Sequence, residues 1–161
     1  MKQLFLCGVF ANENKEEIIN KTKTNVEFSA NLFQLKMING FKKNGTDIEV
    51  VSAPFIGAYP KSYKQSYFKG FDSKTMDDFK YIHFNNFWGI RNFSRKNNCF
   101  KALKSFINST DEEKIIYVYS VHTPFLQAAI KAKQKDKRIK ICLIVPDLPE
   151  YMNLGKKNTG L

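Results

Sequence analysis

The chain has 161 residues, of which 43% are hydrophobic, 14% aromatic and 25% charged. Those values describe one domain with a real core and exclude a disordered tail, a collagen-like repeat and a disulfide-built miniprotein. Lys and Arg number 26 against 15 Asp and Glu, and the resulting +11 favours anionic partners: nucleic acid, a membrane surface or phosphorylated substrates. Only three of the 26 are Arg, the usual choice for bidentate phosphate or base recognition, and a bias toward Lys, Asn, Ile and Phe together also arises from genome composition alone.

In chain order, Met1-Lys2 and the apolar Leu4 to Ala11 read in two ways. One is a short signal peptide with Val9-Phe10-Ala11 as cleavage site, and the other is a buried strand over Gln3 to Phe10. The strand is favoured, because the rest of the chain needs one to start a parallel sheet. Asn12 to Glu27 is a polar, weakly structured connection, and long loops in such folds are often functional. Ser29 to Asn44 reads as a helix, capped by Ser29, with Phe33, Met37 and Phe41 at helical spacing and Gly45 as the stop. Asp47 to Ser52 is a second strand, ended by Pro54. Pro54 to Asp78 is an irregular excursion with room for a short helix or hairpin, in which Tyr59, Tyr63, Tyr67 and Phe68 are interleaved with Lys61, Lys64 and Lys69. Phe79 to Phe84 is a third strand. Asn92 to Asn108 is a helix with Phe93, Phe100, Leu103 and Ile107 on one stripe. Lys114 to Tyr119 is a fourth strand, Thr123-Pro124 opens a helix to about Lys135, and Arg138 to Val145 is the fifth strand.

Strands alternating with helices predict an α/β fold: a three-layer Rossmann-like domain with a mainly parallel sheet of five or more strands in the order 3-2-1-4-5. Ligands in such sheets bind beyond the carboxyl ends of the strands. Here those ends are Gly8 to Ala11, Ser52 to Phe55, Asn85 to Trp88, Ser120 to Thr123 and Pro146 to Glu150. The turn after the first strand offers only Gly8 and no acidic residue ends the second, which argues against a dinucleotide site. There is no GxxxxGK[ST] run and no GxSxG elbow. With two His and no Cys/His cluster at metal spacing, no metal is expected. Cys7, Cys99 and Cys142 lie in apolar stretches without a CxxC pair and read as buried thiols of a reducing compartment.

The richest strand end is Val145-Pro146-Asp147-Leu148-Pro149-Glu150, a proline-stiffened corner with two carboxylates. It is suited to sugar hydroxyls or to accepting a proton, or else it is a turn Asp with Glu150 in solvent. His122, before a helix start, would meet a phosphate or carboxylate, or simply pack on Tyr119. His83 reads as a core or strand-face residue. Arg91 and Arg95 oppose a helix dipole and make more sense beside an anion or a membrane phosphate than as stabilisers, or else they form an ordinary solvated start to the helix. The Tyr59–Lys69 segment suits an anionic membrane interface or single-stranded nucleic acid, or is an ordinary loop folded onto the domain.

Three stretches carry a family resemblance: Phe28-Ser29-Ala30-Asn31-Leu32-Phe33-Gln34, leading a helix that ends in Ile38-Asn39-Gly40-Phe41; Ile115-Ile116-Tyr117-Val118-Tyr119-Ser120 before a Pro-started helix; and Ile144-Val145-Pro146-Asp147-Leu148-Pro149-Glu150-Tyr151-Met152. In this order they resemble the N-terminal, acceptor-side domain of a retaining GT-B glycosyltransferase of the family 4 type, over nearly the whole chain. The resemblance implies residues 1–152 as that domain, 153–161 as a tail or linker, and a C-terminal donor domain absent from this chain. Transfer from a nucleotide-sugar to a saccharide or lipid-linked acceptor would then need both domains, with no cofactor beyond the donor co-substrate. Asp147 would face the cleft and assist the acceptor hydroxyl. Ser29, Asn31, His122 and Glu150 would bind the acceptor. Lys61, Tyr63, Lys64, Tyr67, Arg91, Arg95 and Lys96 would contact an anionic membrane on the cytoplasmic side, as would Phe68. The single glycine after the first strand departs from the glycine-rich turn of many relatives. The alternatives are a basic α/β module binding nucleic acid, which dispersed lysines and scarce Arg disfavour, and a small stand-alone ligand-binding protein.

Overall fold

The computed structural model describes residues 1–146, so Asp147, Glu150 and the segment 153–161 lie outside the described residues. The elements run β1 (Lys2–Cys7), α1 (Asn12–Lys21), α2 (Phe28–Lys43), β2 (Ile48–Ser52), β3 (Tyr67–Phe68), β4 (Phe71–Asp72), β5 (Phe79–Tyr81), β6 (Phe84–Asn85), α3 (Arg91–Ala102), α4 (Lys104–Asn108), β7 (Lys114–Tyr119), α5 (Thr123–Lys135) and β8 (Ile139–Ile144). The main sheet has the order β4-β5-β2-β1-β7-β8. Five of its strands are parallel and stand in the expected 3-2-1-4-5 order, and β4 adds an antiparallel edge beside β5. The architecture is therefore a Rossmann-like α/β sheet flanked by helices.

The central strand β1 explains why the sheet forms. Leu4, Phe5, Leu6 and Cys7 are all fully buried, as expected for a strand covered on both faces. Each large side chain of this kind contributes about 1.5–3 kcal/mol by leaving water. On one face, Phe41 of α2 packs on Phe5 and on Tyr117 of β7, with ring centroids 6.3 and 4.9 Å apart. Right-handed crossovers put α3 and α5, which pack on each other, over the opposite face.

The amino-terminal edge of the sheet is closed by a buried ion pair. Lys114 is fully buried, and its Nζ donates to the carbonyls of Ile107 and Ser109 and to Asp136 Oδ2 at 2.7, 2.6 and 2.8 Å. Arg138 also donates to Asp136, and these donors hold its carboxyl well below the usual range.

Several expectations are corrected. Asn12 to Lys21 is helical, because Ile18 buries against the core and Glu17 pairs with Lys21 one turn on. The helix expected from Ser29 starts at Phe28 without a side-chain cap, and it turns Asn31, Gln34 and Ile38 inward while Phe33 stays exposed. The third strand stops at Tyr81. Beyond it the chain leaves the sheet, and Phe84–Asn85 pairs antiparallel with Tyr67–Phe68. This crossing needs Gly70, where a Cβ would sit 2.4 Å from the His83 backbone nitrogen. His83 is consequently exposed beside Tyr67, not a core or strand-face residue. The helix expected over Asn92 to Asn108 breaks at Leu103 into α3 and α4. Cys142 is exposed on the edge strand β8, unlike the buried Cys7 and Cys99.

Candidate functional site

The carboxyl ends of β1, β2, β5 and β7 open on one rim, and the rim divides into a sealed part and an open part. The sealed part is the turn after β1. Gly8 N donates to Gln34 Oε1 at 2.9 Å, Phe10 N to Asn31 Oδ1 at 2.8 Å and Ala11 N to the Tyr81 hydroxyl at 2.8 Å. Asn31 completes a reciprocal pair by donating to the Phe10 carbonyl at 2.9 Å. The backbone amides that a glycine-rich turn would offer to phosphate are thus already engaged. Gly8 is required there by packing: a Cβ would lie 2.5 Å from the Phe55 ring.

Asn31 is therefore a positioning residue for the Gly8–Ala11 turn, 8% exposed. Ser29 is exposed and shares a cavity of about 340 Å³ with Phe10, Phe28, Asn31 and Leu32. His122 precedes α5, and its ring lies against Phe55 and Phe125 at 5.2 and 4.3 Å. Its Nδ1 is buried without a hydrogen-bond partner. Burial first, then the nearby Arg95 and Arg91 charges, hold its pKa down to about 3, so the imidazole is neutral at physiological pH. Ser120, two residues earlier, has φ of 66°, a left-handed backbone that bends the chain off β7.

The open part of the rim lies between the loop 57–62 and the start of α3. Two chain segments there carry no acidic residue: 50–71 has three Lys, and 79–110 has six Lys and Arg, with no Asp or Glu in either. The surface at their junction is also apolar. Phe87, Trp88, Ile90 and Phe93 are 49–77% exposed, with Trp88 the most. Lys96 Nζ sits 5.0 Å from the centroid of the Phe93 ring.

The seven basic and aromatic candidates do not form one surface. Lys61 and Arg91 line one cavity of about 740 Å³, together with Trp88. Lys64 and Tyr67 line a second, of about 640 Å³, and Lys64 Nζ is tied to the Asn20 carbonyl at 2.7 Å. Lys96 is half-buried on α3. Two expectations of surface contact are corrected by burial. Tyr63 is 2% exposed, and burial pushes its hydroxyl pKa up to about 12. Phe68, at 7% exposed, stacks on Phe84 and is likewise core.

Arg95 is the third correction. It is 1% exposed, donates from Nη2 to the Pro54 carbonyl at 2.7 Å, and lies 4.3 Å over the Phe84 ring. Its Nε has no partner, and it makes no ion pair among the described residues. Burial, then repulsion by Arg91, holds its pKa down to about 9. An unpaired buried guanidinium beneath a second Arg makes this part of the rim strongly electropositive.

Sequence reasoning missed the residues that build the open cavity, namely Gly57, Asn86 and Asn92, and left Trp88 without a role. Trp88 is the only tryptophan in the chain and stands at a strand end, which was the available signal. Among the described residues no cluster of His, Cys, Asp and Glu suits a metal ion. No described helix is long and apolar enough to cross a membrane. Comparison with family models, with curated proteins and with solved structures returns no match to this chain.

Proposed function

We propose that this chain is the acceptor-side N-terminal domain of a retaining GT-B glycosyltransferase, working at the cytoplasmic face of an anionic membrane and completed by a separate donor domain. The observation that carries the reading is the open rim. A parallel 3-2-1-4-5 sheet presents its strand ends beside a face, built from segments without Asp or Glu, that combines exposed Phe87, Trp88, Ile90 and Phe93 with Lys61, Arg91 and Lys96. Aromatic side chains at headgroup depth and lysines near an anionic leaflet, each worth about 1 kcal/mol, favour this face for docking. A lipid-linked acceptor would be met at the same rim. The resemblance of Ile144 to Met152 to the family supplies Asp147 as the group that orients or assists the acceptor hydroxyl.

The test has two parts. An antibody against this domain reads the mass of the natural polypeptide, and a product about twice this size fits a missing donor half. That product is then assayed with nucleotide-sugars and a lipid-linked acceptor. A natural polypeptide ending near residue 161, or absence of any transfer by the long form, overturns the reading. Vesicles test the docking face: sedimentation with phosphatidylglycerol but not phosphatidylcholine, reduced by Trp88→Ala, is the expected result.

A further inference from the structure

The open cavity between the loop 57–62 and α3 has walls that are fixed to one another. Asn86 is fully buried, and its Nδ2 donates to the Gly57 carbonyl at 2.8 Å. Tyr59 N donates to the Asn86 carbonyl at 3.0 Å, and Trp88 N to the Tyr59 carbonyl at 3.3 Å. Gly57 itself cannot carry a side chain, because a Cβ would sit 2.3 Å from Ser62 Cβ. Arg91 is clamped by its Nη1 to the Ile56 carbonyl at 3.3 Å, which leaves most of its donors for another group. Such cross-bracing is what a preorganised binding site needs.

The polar groups of the lining are all suited to an anion. Lys61, Ser62, Arg91 and Asn92 offer two cations, a hydroxyl and an amide, and the lining holds no carboxylate. Neither Lys61 nor Arg91 has an acidic partner among the described residues. One turn on from Arg91, the buried Arg95 adds a second unneutralised charge, and like charges four residues apart on a helix are unfavourable unless something offsets them. The wall beside these groups is the indole of Trp88, 77% exposed, a flat apolar surface of the kind on which a sugar ring packs.

We propose that this cavity binds the phosphate group of the acceptor, with Arg91 and Lys61 as its charge partners and Trp88 flanking the group attached to the phosphate. Arg91 supplies the paired N–H donors that match phosphate oxygens, and Lys61 supplies a point charge from the opposite wall. That the phosphate belongs to an acceptor rests on the acceptor-side reading above. The binding of phosphate rests only on the cavity. The same chemistry serves a lipid-borne phosphate and a soluble sugar phosphate.

The single tryptophan makes the test direct, because its emission reports on this wall alone. The full chain is titrated with inorganic phosphate, with a hexose 1-phosphate, and with phosphatidylcholine vesicles with or without phosphatidic acid, at constant ionic strength. A saturable change in Trp88 emission is expected with at least one phosphate carrier. Lys61→Gln and Arg91→Gln should each weaken it at least tenfold, while Arg91→Lys is intermediate and the distant Lys137→Gln is unchanged. Response to the hexose phosphate identifies a soluble carrier, and response only to phosphatidic acid vesicles identifies a lipid one. The proposal is overturned if chloride reproduces the change, if no carrier produces one, or if Lys137→Gln weakens it as much as Lys61→Gln. Lys61 is exposed, so its variant keeps the fold intact even if Arg91→Gln does not. Failure of the glycosyltransferase reading would appear separately, as absent sugar transfer with phosphate binding retained.

Discussion

Replacing Arg95 with Met measures how the fold tolerates a buried charge without a carboxylate. Holding the guanidinium pKa near 9 instead of 12.5 corresponds to a cost of roughly 5 kcal/mol for the charged form, at about 1.4 kcal/mol for each tenfold. Against it stand two gains that Met would lose. The charged hydrogen bond to the Pro54 carbonyl is worth about 1.5–3 kcal/mol, and the desolvated stack over Phe84 about 2 kcal/mol. These nearly cancel, and Met fills most of the space with a thioether that also packs on an aromatic ring. Arg95→Met should therefore leave the unfolding free energy within about 1.5 kcal/mol of the parent, whereas Arg95→Ala, which opens a cavity, should cost about 3 kcal/mol. Urea unfolding followed by far-UV circular dichroism measures both. The same pair bears on the phosphate site. At a phosphate concentration tenfold above its Kd the parent should gain about 1.4 kcal/mol, and Arg95→Met clearly less. A loss above about 3 kcal/mol in Arg95→Met without phosphate would mean that the guanidinium has a compensating partner and is not an unneutralised charge.

Three further outcomes are expected. Lys114→Met removes the donor that holds Ile107, Ser109 and Asp136 together, and should lower stability by about 3 kcal/mol in urea; a change under about 1 kcal/mol would deny that this ion pair closes the sheet. Gly8→Ala pushes a Cβ into the Phe55 ring and should cost about 1–3 kcal/mol while shifting the His122 ring resonances, whereas unchanged melting and unchanged shifts would show that the rim has slack. His122, with its pKa near 3 in the fold, should show no imidazole titration by NMR between pH 7 and 4. The unfolded chain binds more protons than the fold between about pH 6.5 and 3, so His122 makes stability fall as pH drops through that range. The depressed Asp136 carboxyl adds a loss in the same direction at lower pH, and a His122 midpoint near 6 would refute the neutral imidazole.

The parallel order of the sheet was legible because it rests on few facts: five apolar runs, their intervening helices and the fixed hand of crossovers. Helix faces were less so. In α2 the apolar spacing of Phe33, Met37 and Phe41 holds for Met37 and Phe41, which pack on the core, but Phe33 is exposed and the fold buries Gln34 and Asn31 because the turn after β1 needs their amides. In the stripe of Phe93, Phe100, Leu103 and Ile107, the last three do pack on the core, but Phe93 is exposed and α3 buries Arg95 and Cys99 beside them. Both departures have one cause. Hydrophobic periodicity assumes that apolar groups alone define the inner face, and here Asn31, Gln34 and Arg95 share it in order to saturate loop backbones, which no periodicity records. The first helix was missed for a related reason, since a single buried Ile18 anchors an otherwise polar segment.

These polar inner faces also relocate the chemistry of the rim. A sheet of this order ordinarily offers an anion the backbone amides that follow its first strand. In this chain Gln34, Asn31 and Tyr81 take the amides of Gly8, Phe10 and Ala11 at 2.8–2.9 Å, so that edge is occupied by the protein itself. The uncompensated positive charge stands instead on α3, where Arg91 and Arg95 follow each other by one turn and no acidic residue occurs from 79 to 110. An anion at the rim is consequently attracted toward the side of the sheet that carries β2 and β5, next to Trp88. Side-chain donors stand there in place of backbone amides, and a guanidinium braced on the Ile56 carbonyl is equipped to meet an anion. Reopening the first turn should test this division: Asn31→Ala frees the Phe10 amide, and a phosphate affinity that then loses its dependence on Arg91 would show that the two sites compete for one ligand.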